Sequence, residues 1–263
     1  MTVLAQREGF HAPGIEEFEW PNLVDLHLFG LDLGINRVVL QAFLVAAITW
    51  LLFWVAFRKP SLVPSGLQNV MESVVDFIRT QIVLENIGSA GLRFLPYLTT
   101  LFVFIFLGNL GGVLPLISFP LNGRMAMPTV MAICSLLLFI SVGVSRQGFF
   151  RYFREALFPP GVPAPIYILL TPIELVSTFI VRPVTLAIRL VANMIAGHLI
   201  LSVFFVATGY MLASMNISAL FGLGALVFSV ALVAFELFVA GLQAYVFTIL
   251  SAVYIAGALE PEH

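Results

Sequence analysis

Three stretches of the chain are uncharged and mostly apolar over the length of a membrane-crossing helix. They cover residues 38–57, 94–117 and 125–144, and Arg37 and Arg58 bracket the first of them. Because an α-helix rises about 1.5 Å per residue, about 20 apolar residues cross a hydrocarbon core of about 30 Å. The pattern therefore predicts three transmembrane helices in this part of the chain.

The segment 64–85, between the first two of these stretches, has an amphipathic pattern instead. Apolar residues recur there at helical spacing and charged residues lie opposite them. The apolar set is Leu67, Val70, Val74, Ile78 and Ile82, and the charged set is Glu72, Asp76 and Arg79. We expect this helix to lie in the membrane interface. A linker helix that faces water is the alternative that the pattern leaves open.

Two later stretches, 166–209 and 221–259, are too long for a simple crossing. As one helix, the first would measure about 66 Å, about twice the thickness of the hydrocarbon core. Either it breaks at Arg182 and Pro183 into two short pieces, or it runs through the membrane at a steep tilt.

Composition supports a membrane protein. The chain is 60% hydrophobic and 10% charged, with a mean hydropathy of +1.06, whereas soluble domains are about 45–50% apolar and about 25% charged. These values exclude a soluble enzyme, a nucleic-acid-binding protein and a disordered chain. The single cysteine, Cys134, excludes a disulfide framework and a thiolate metal cluster, and we expect no cofactor. We predict an all-α integral membrane protein with a tail at 1–36 and one membrane domain at 37–263.

Basic residues in the connecting segments predict the orientation, because cytoplasmic loops carry an excess of Lys and Arg. Segments 58–93 and 146–165 carry seven such residues, and the opposite side carries three, which are Arg7, Arg37 and Arg124. We therefore expect the N-terminus outside, and the loop at 146–165 and the C-terminus in the cytoplasm. The N-terminus lacks a basic start followed by an apolar core, so we expect no cleaved signal peptide.

Few charges remain in the long C-terminal stretches, and these are the candidate functional residues. Residues 156–259 hold four charged side chains and one histidine: Glu174, Arg182, Arg189, Glu236 and His198. A charge near the bilayer centre costs roughly 2.5–3.5 kcal/mol. Each of these residues therefore needs a partner, a water-filled path or a function.

Helical periodicity places most of the polar residues of the first long stretch together. At about 100° per residue, one stripe about 100° wide contains Arg189, Arg182, Asn193 and Glu174. His198 falls on the opposite side of the same ideal helix. The stripe would therefore present a row of polar groups to one neighbour.

A hairpin of the two long stretches would bring further polar side chains together. In an antiparallel hairpin, the numbers of facing residues add to a nearly constant total. A turn near Asn216 gives totals of 432 for Arg189 with Gln243 and 434 for His198 with Glu236. The hairpin therefore predicts that His198 lies beside Glu236 and that Arg189 lies near Gln243.

These residues differ in how they can handle protons. A His–Glu pair accepts and releases a proton near neutral pH, whereas arginine keeps its proton and acts as a fixed charge. Such a charge attracts a carboxylate from a partner and favours the loss of its proton. Structural roles stay open: Arg182 as a cap or a snorkelling side chain, Glu174 as a helix-start carboxylate, His198 with Glu236 as a buried pair, and Arg189 as a structural cation.

Four segments of the chain resemble subunit a of rotary F-type ATP synthases. They are RPVTLAIRLVANMIAGHLIL (182–201), LQAYVFTILSAVYI (242–255), VPSGLQNVMES (63–73) and FVFIFLGNLGGVLP (102–115). The resemblance implies a non-catalytic, proton-conducting stator subunit, with the ATP chemistry on other subunits. It implies as partners an oligomeric c-ring, peripheral-stalk b-type subunits, further synthase subunits and the lipid bilayer. It also implies a steeply tilted helical hairpin packed on the c-ring.

The resemblance also assigns roles to individual positions. Arg189 matches the arginine that faces the c-ring carboxylate and separates two aqueous half-channels. Asn193 and Gln243 match polar residues beside that arginine. Glu174 matches a half-channel carboxylate, although it stands nine residues before Pro183, one more than the family spacing.

The remaining matches concern the entrance half-channel. His198 and Glu236 carry the family's His–Glu pair with the two partners exchanged, as in mitochondrial-type members. The chain departs from the family at Gly112, where an acidic residue is common, and at Thr129, where Asp or Asn is common. Other polar residues, Asn109 among them, are therefore expected to line this half-channel.

Two functions of other classes stay open. A self-contained secondary transporter predicts two related halves with interrupted helices, and the sequence shows no such repeat. A purely structural membrane anchor predicts that neutralising the buried charges is harmless. We expect the bacterial plasma membrane as the location, with the mitochondrial inner membrane as the alternative. The coupling ion, H⁺ or Na⁺, stays undecided by the sequence.

Overall fold

A computed structural model describes residues 27–28, 31–32, 37–113, 121–158, 166–213 and 218–259. Its helices are α1 (Arg37–Phe57), α2 (Leu67–Ile78), α3 (Leu95–Val113), α4 (Ala126–Gln147), α5 (Phe149–Leu157), α6 (Tyr167–Val176), α7 (Arg182–Ala213) and α8 (Ser218–Leu259). Short π-helical turns at Arg79–Leu84 and Ser177–Val181 and 3₁₀ turns at Ser89–Phe94 and Leu121–Gly123 connect or extend them. Two antiparallel two-residue strands, β1 (His27–Leu28) and β2 (Leu31–Asp32), precede the helices.

Within the described residues, five helical runs are long and apolar enough to cross a membrane. They are Arg37–Phe57, Ser89–Val113, Ala126–Gln147, Tyr167–Ala213 and Leu220–Leu259. The predicted fold class, an all-α membrane protein, is thereby confirmed. The amphipathic helix α2 is not among these five runs, in line with its charged face.

The bounds of the helices differ in detail from those predicted. The second predicted span ends at Val113 in the structure, and residues 114–117 lie outside the described part. The hairpin helices extend to Ala213 and start at Ser218, beyond the predicted limits. The tail at 1–36 lies outside the described residues, apart from its two short strands.

We predict a loop over residues 146–165. This prediction is wrong for the first part of the segment, which forms α5. Gly148 adopts a φ of 85° between α4 and α5, a conformation that favours glycine, and so lets the chain turn sharply. The ring of Tyr152 then packs directly on Gly143, where a Cβ atom would overlap it. The signal for this helix was in the sequence, because Phe149, Tyr152, Phe153 and Ala156 follow helical spacing.

The predicted apolar stripe is buried only in its later part. Ile78 at the end of α2 and Ile82 in the turn after it are buried, whereas Leu67 and Val70 are exposed and Met71, outside the stripe, is buried. In a membrane protein an exposed apolar side chain can face lipid at no cost, so an apolar stripe does not by itself mark the face packed on protein.

A central apolar cluster joins α3, α4, α7 and α8. Small and branched side chains form it: Leu101, Ile105, Met131, Ala132, Leu186, Ala187, Leu190, Ala244 and Phe247. A second cluster joins α2, α3, α4, α5 and the end of α8. One side of α7 is therefore packed in the central cluster, and Ile195 and Leu199 of the same helix pack in a further cluster with Leu121 and Val38.

The helices α7 and α8 form a hairpin whose register is visible in its contacts. The rings of Phe204 and Phe228 lie 4.9 Å apart between centroids, and Leu212 packs against Gly222. The numbers of these pairs add to totals of 432 and 434, as the predicted register requires.

The first long stretch does not break at Pro183. It runs as one helix over the 47 residues from Tyr167 to Ala213, which corresponds to about 70 Å. The π-helical turn Ser177–Val181 stands immediately before Arg182 and Pro183. Since proline lacks an N–H and its ring clashes with the carbonyl four residues earlier, the wider turn makes room for the ring. Steep tilt is the option that remains.

Candidate functional site

Arg189 lies on the outward face of α7. The neighbouring positions Leu186 and Leu190 are buried in the central cluster, so the helix orients Arg189 away from it. The side chain of Arg189 is exposed, and Ile188 and Ala192 beside it are also exposed. Within the described residues, the guanidinium has no hydrogen bond, ion pair or aromatic contact. It is a permanent cation on an apolar helix face, available to a second molecule.

Two amides lie close to the level of Arg189. Asn193 is exposed one turn further along the same face of α7. Gln243 is 5% exposed on α8, next to Ala244, which shares the central cluster with Leu190. Neither amide makes a side-chain hydrogen bond in the part of the chain that the structure describes. Both can therefore hydrogen-bond water or a partner's carboxyl group.

Glu236 is buried at the contact between α7 and α8. Its side chain is 7% exposed, and its carboxylate lies against Gly197, where a Cβ atom would overlap both oxygens. Gly197 is therefore the residue that admits the carboxylate to the helix contact. His198, half-buried, follows directly on α7. The register sets His198 and Glu236 at one level, and their direct pairing stays a prediction.

The π-helical turn changes the position of Glu174 on the polar stripe. On a uniform helix, Glu174 falls about 60° to one side of Arg189. A π turn holds one residue more than an α turn, so the turn at Ser177–Val181 moves Glu174 by about 100°, to about the same angle as Asn193. The one-residue excess between Glu174 and Pro183 is thereby absorbed. Glu174 is half-buried and stays a predicted channel residue.

Arg182 differs from Arg189 because it has an internal contact. Its guanidinium carbon lies 5.3 Å from the ring centroid of Tyr254 on α8, which is the geometry of a cation–π contact. Arg182 is half-buried. Of the two arginines on the stripe, only Arg189 is left without a contact within the described residues.

Asn109 belongs to a buried amide pair that sequence reasoning found only in part. Asn109 and Asn122 are both completely buried, and Asn122 Nδ2 donates to Asn109 Oδ1 at 2.7 Å. Asn109 Nδ2 in turn donates to the carbonyl of Ala240 at 3.4 Å. Asn122 was missed because LNG is typical of an ordinary turn, and no local pattern in the sequence marks this asparagine as buried.

The structure contains no obvious metal centre in the residues it describes, since no three His, Cys, Asp or Glu side chains come together there. The register of the hairpin places polar and ionisable groups at two levels. One level holds Glu236 and His198, and the other holds Arg189 and Gln243.

Comparison with known proteins gives the family. The chain matches the family described as ATP synthase A chain over residues 39–256. The chain belongs to the ATP synthase A chain family. The match includes all eight predicted site residues, which lie between Asn109 and Gln243.

Bacterial relatives agree along nearly the whole chain. The protein named ATP synthase subunit a of Rhodococcus erythropolis is 42% identical over 264 residues, covering 100% of this chain and 94% of the relative. That of Frankia alni is 41% identical, covering 98% and 89%, and that of Rhodospirillum rubrum is 35% identical, covering 95% and 98%. The predicted resemblance is confirmed.

Proposed function

We propose that this chain is the proton-conducting stator subunit of an ATP synthase, with two offset half-channels that meet a rotating c-ring at Arg189. The observation that carries the proposal is the exposed guanidinium of Arg189, which has no partner within the described residues on a helix of a membrane-embedded hairpin. Exposing a charge to hydrocarbon costs roughly 2.5–3.5 kcal/mol. A partner that presents a carboxylate offsets this cost.

The entrance half-channel leads to the level of Glu236 and His198, with Asn109 on its wall. Protons arrive from the outside, where the N-terminus is also placed, and Glu236 and His198 exchange them with water. The narrow contact at Gly197 supports this role, because it holds the carboxylate in one position between α7 and α8. A proton then passes to a carboxylate of the c-ring, which becomes neutral and can enter the lipid.

The second half of the cycle depends on the fixed charge. When a protonated ring carboxylate returns to Arg189, the guanidinium favours its ionised form. The proton leaves towards the cytoplasm along the side of Glu174, and Asn193 and Gln243 supply hydrogen bonds next to the cation. Each elementary charge that moves through 100 mV supplies about 2.3 kcal/mol. Because Arg189 cannot lose its own proton, it separates the two half-channels.

The exposed face of α7 is suited to a moving partner. Ala192 and Ala196 are small and exposed on the side that carries Arg189, so another helix can approach the backbone closely. Peripheral-stalk b-type subunits and other synthase subunits complete the set of partners. The chain itself holds no nucleotide chemistry in this proposal, and its membrane is the bacterial plasma membrane.

The test is Arg189→Ala in the assembled synthase, measured in inverted membrane vesicles. We expect ATP-driven proton pumping to be abolished, because the ring carboxylate no longer loses its proton at a fixed barrier. Arg146→Ala, at an exposed arginine in the last turn of α4, is the matched control and should pump normally. Coupled pumping at the control rate in Arg189→Ala would refute the proposal. Ion flux through the purified chain without a ring would favour a self-contained transporter instead.

A further inference from the structure

Asn122 is a buried polar group that the proposed mechanism has not used. It lies in the 3₁₀ turn Leu121–Gly123 and is completely buried. Its Nδ2 is bonded to Asn109, but its Oδ1 is buried and accepts no hydrogen bond from the described residues. A buried acceptor without a donor costs about 1–3 kcal/mol. Asn122 Oδ1 is therefore a buried acceptor that needs a donor beyond those the described residues supply.

The position of Asn122 along the membrane is set by its neighbours. Leu121, the preceding residue, packs with Ile195 and Leu199 of α7, which stand three residues before and one residue after His198. On the other side, Asn109 reaches the carbonyl of Ala240 on α8, one turn after Glu236. The amide pair thus lies within about one helical turn of Glu236 and His198, enclosed by α3, α7 and α8.

The surroundings restrict what can donate to Asn122 Oδ1. The residue is completely enclosed, so a side chain of a partner protein cannot reach it. Gly108 lets the turn pack closely on α3, because a Cβ atom there would lie 3.1 Å from Asn122 Nδ2 and 3.3 Å from the Leu121 side chain. Water is the donor that fits an enclosed polar position, where it bonds to otherwise unsatisfied groups.

We propose that Asn122 Oδ1 binds a water molecule of the entrance half-channel, and that Asn122 and Asn109 together hold this water at the level of Glu236 and His198. This inference rests on the proposed proton-conducting function. It assigns to Asn122 the hydrogen-bonding capacity that the family's acidic residue would supply where Gly112 stands. Asn122 is a positioning residue, since it holds water and does not itself exchange a proton.

The test compares three variants in the membrane sector stripped of its catalytic part, so that passive proton flux through the complex is measured directly. Asn122→Leu has a similar volume and removes the acceptor, and Asn122→Ser retains one. Thr99→Val is the matched control, because Thr99 is buried on α3 and bonds only to its own helix at Leu95. Flux is divided by the amount of this chain in each complex, which separates conduction from assembly.

We expect Asn122→Leu to lower the flux per complex by about tenfold, since an ordinary hydrogen bond is lost from the path. Asn122→Ser should recover at least half of the flux, and Thr99→Val should leave it unchanged. Equal flux in Asn122→Leu and Thr99→Val, at equal assembly, would overturn the inference and show that Asn122 only joins helices. The Arg189→Ala experiment decides the proposed function separately, because it measures coupling and leaves Asn122 intact.

Discussion

Gly197 gives the sharpest prediction of how the hairpin works. Replacing a helical glycine by alanine normally stabilises a helix by about 0.5–1 kcal/mol. At Gly197, however, the added Cβ would overlap both carboxylate oxygens and the carboxyl carbon of Glu236. Gly197→Ala must therefore push the carboxylate out of its position or separate α7 from α8.

The magnitude follows from a matched substitution on the same helix. Gly209 on α7 has no atom within 4 Å of the place where a Cβ would stand, so Gly209→Ala shows the helix effect alone. Overpacking of a tight contact costs about 1–3 kcal/mol, and each 1.4 kcal/mol corresponds to a factor of ten. We therefore expect the fraction of complexes with Glu236 in its working position to fall about five- to 150-fold in Gly197→Ala relative to Gly209→Ala.

The assay is ATP-driven acidification of inverted membrane vesicles, followed by quenching of a pH-sensitive dye and normalised to the amount of this chain. We expect a severe loss in Gly197→Ala and normal pumping in Gly209→Ala. Glu236→Asp shortens the side chain by one methylene, so combining it with Gly197→Ala should restore part of the loss, a coupling that a double-mutant cycle measures. Equal pumping by the two alanine variants would refute the reasoning.

Two further predictions concern the polar stripe on the first long helix. Tyr254→Leu removes the ring under Arg182 and should lower the free energy of unfolding of the purified complex by about 0.5–2 kcal/mol. Tyr254→Phe keeps a ring and should leave this stability unchanged. An equal loss in both variants would show that the hydroxyl matters and not the ring. Deleting Ile180 should convert the π turn to an α turn and keep the residues before and after it at the same angles around the helix, so the chain should still assemble. Deleting Ile200 from the middle of α7 has no such turn to absorb it and should prevent assembly. Immunoblots of membranes measure assembly, and failure of both deletions would contradict the role assigned to the π turn.

Much of the fold could be predicted because a lipid-embedded chain needs long apolar helices. The hairpin register could also be predicted, because two antiparallel helices with one short turn allow only one alignment. That alignment places Glu236 against Gly197, one residue from the predicted neighbour His198. The sequence could not decide between a break and a continuous helix before Pro183, because the choice depends on whether a local widening of the helix accommodates the proline ring.

Helical periodicity could not predict other features of the structure, for physical reasons. The π turn at Ser177–Val181 shifts the phase of the helix, so a uniform 100° step misplaces every residue before it, Glu174 included. Asn122 was missed because its importance comes from burial, and burial at a turn cannot be predicted from a turn-like sequence.

The two arginines of the polar stripe differ in what stabilises their charge, and this difference points to a partner molecule. Arg182 has a ring face on α8, so the fold itself compensates part of the cost of keeping that cation in the membrane. Arg189 stands two turns further along, exposed, with no contact within the described residues. The apolar neighbours of Arg189 on α7 cannot stabilise it, and arginine does not escape the cost by losing its proton. A chain of this composition keeps such a residue only if the missing stabilisation comes from outside, and a carboxylate supplies it with the opposite charge and a matching bidentate geometry. In the proposed function this carboxylate belongs to the rotating ring, so Arg189 would be neutralised by each ring carboxylate in turn.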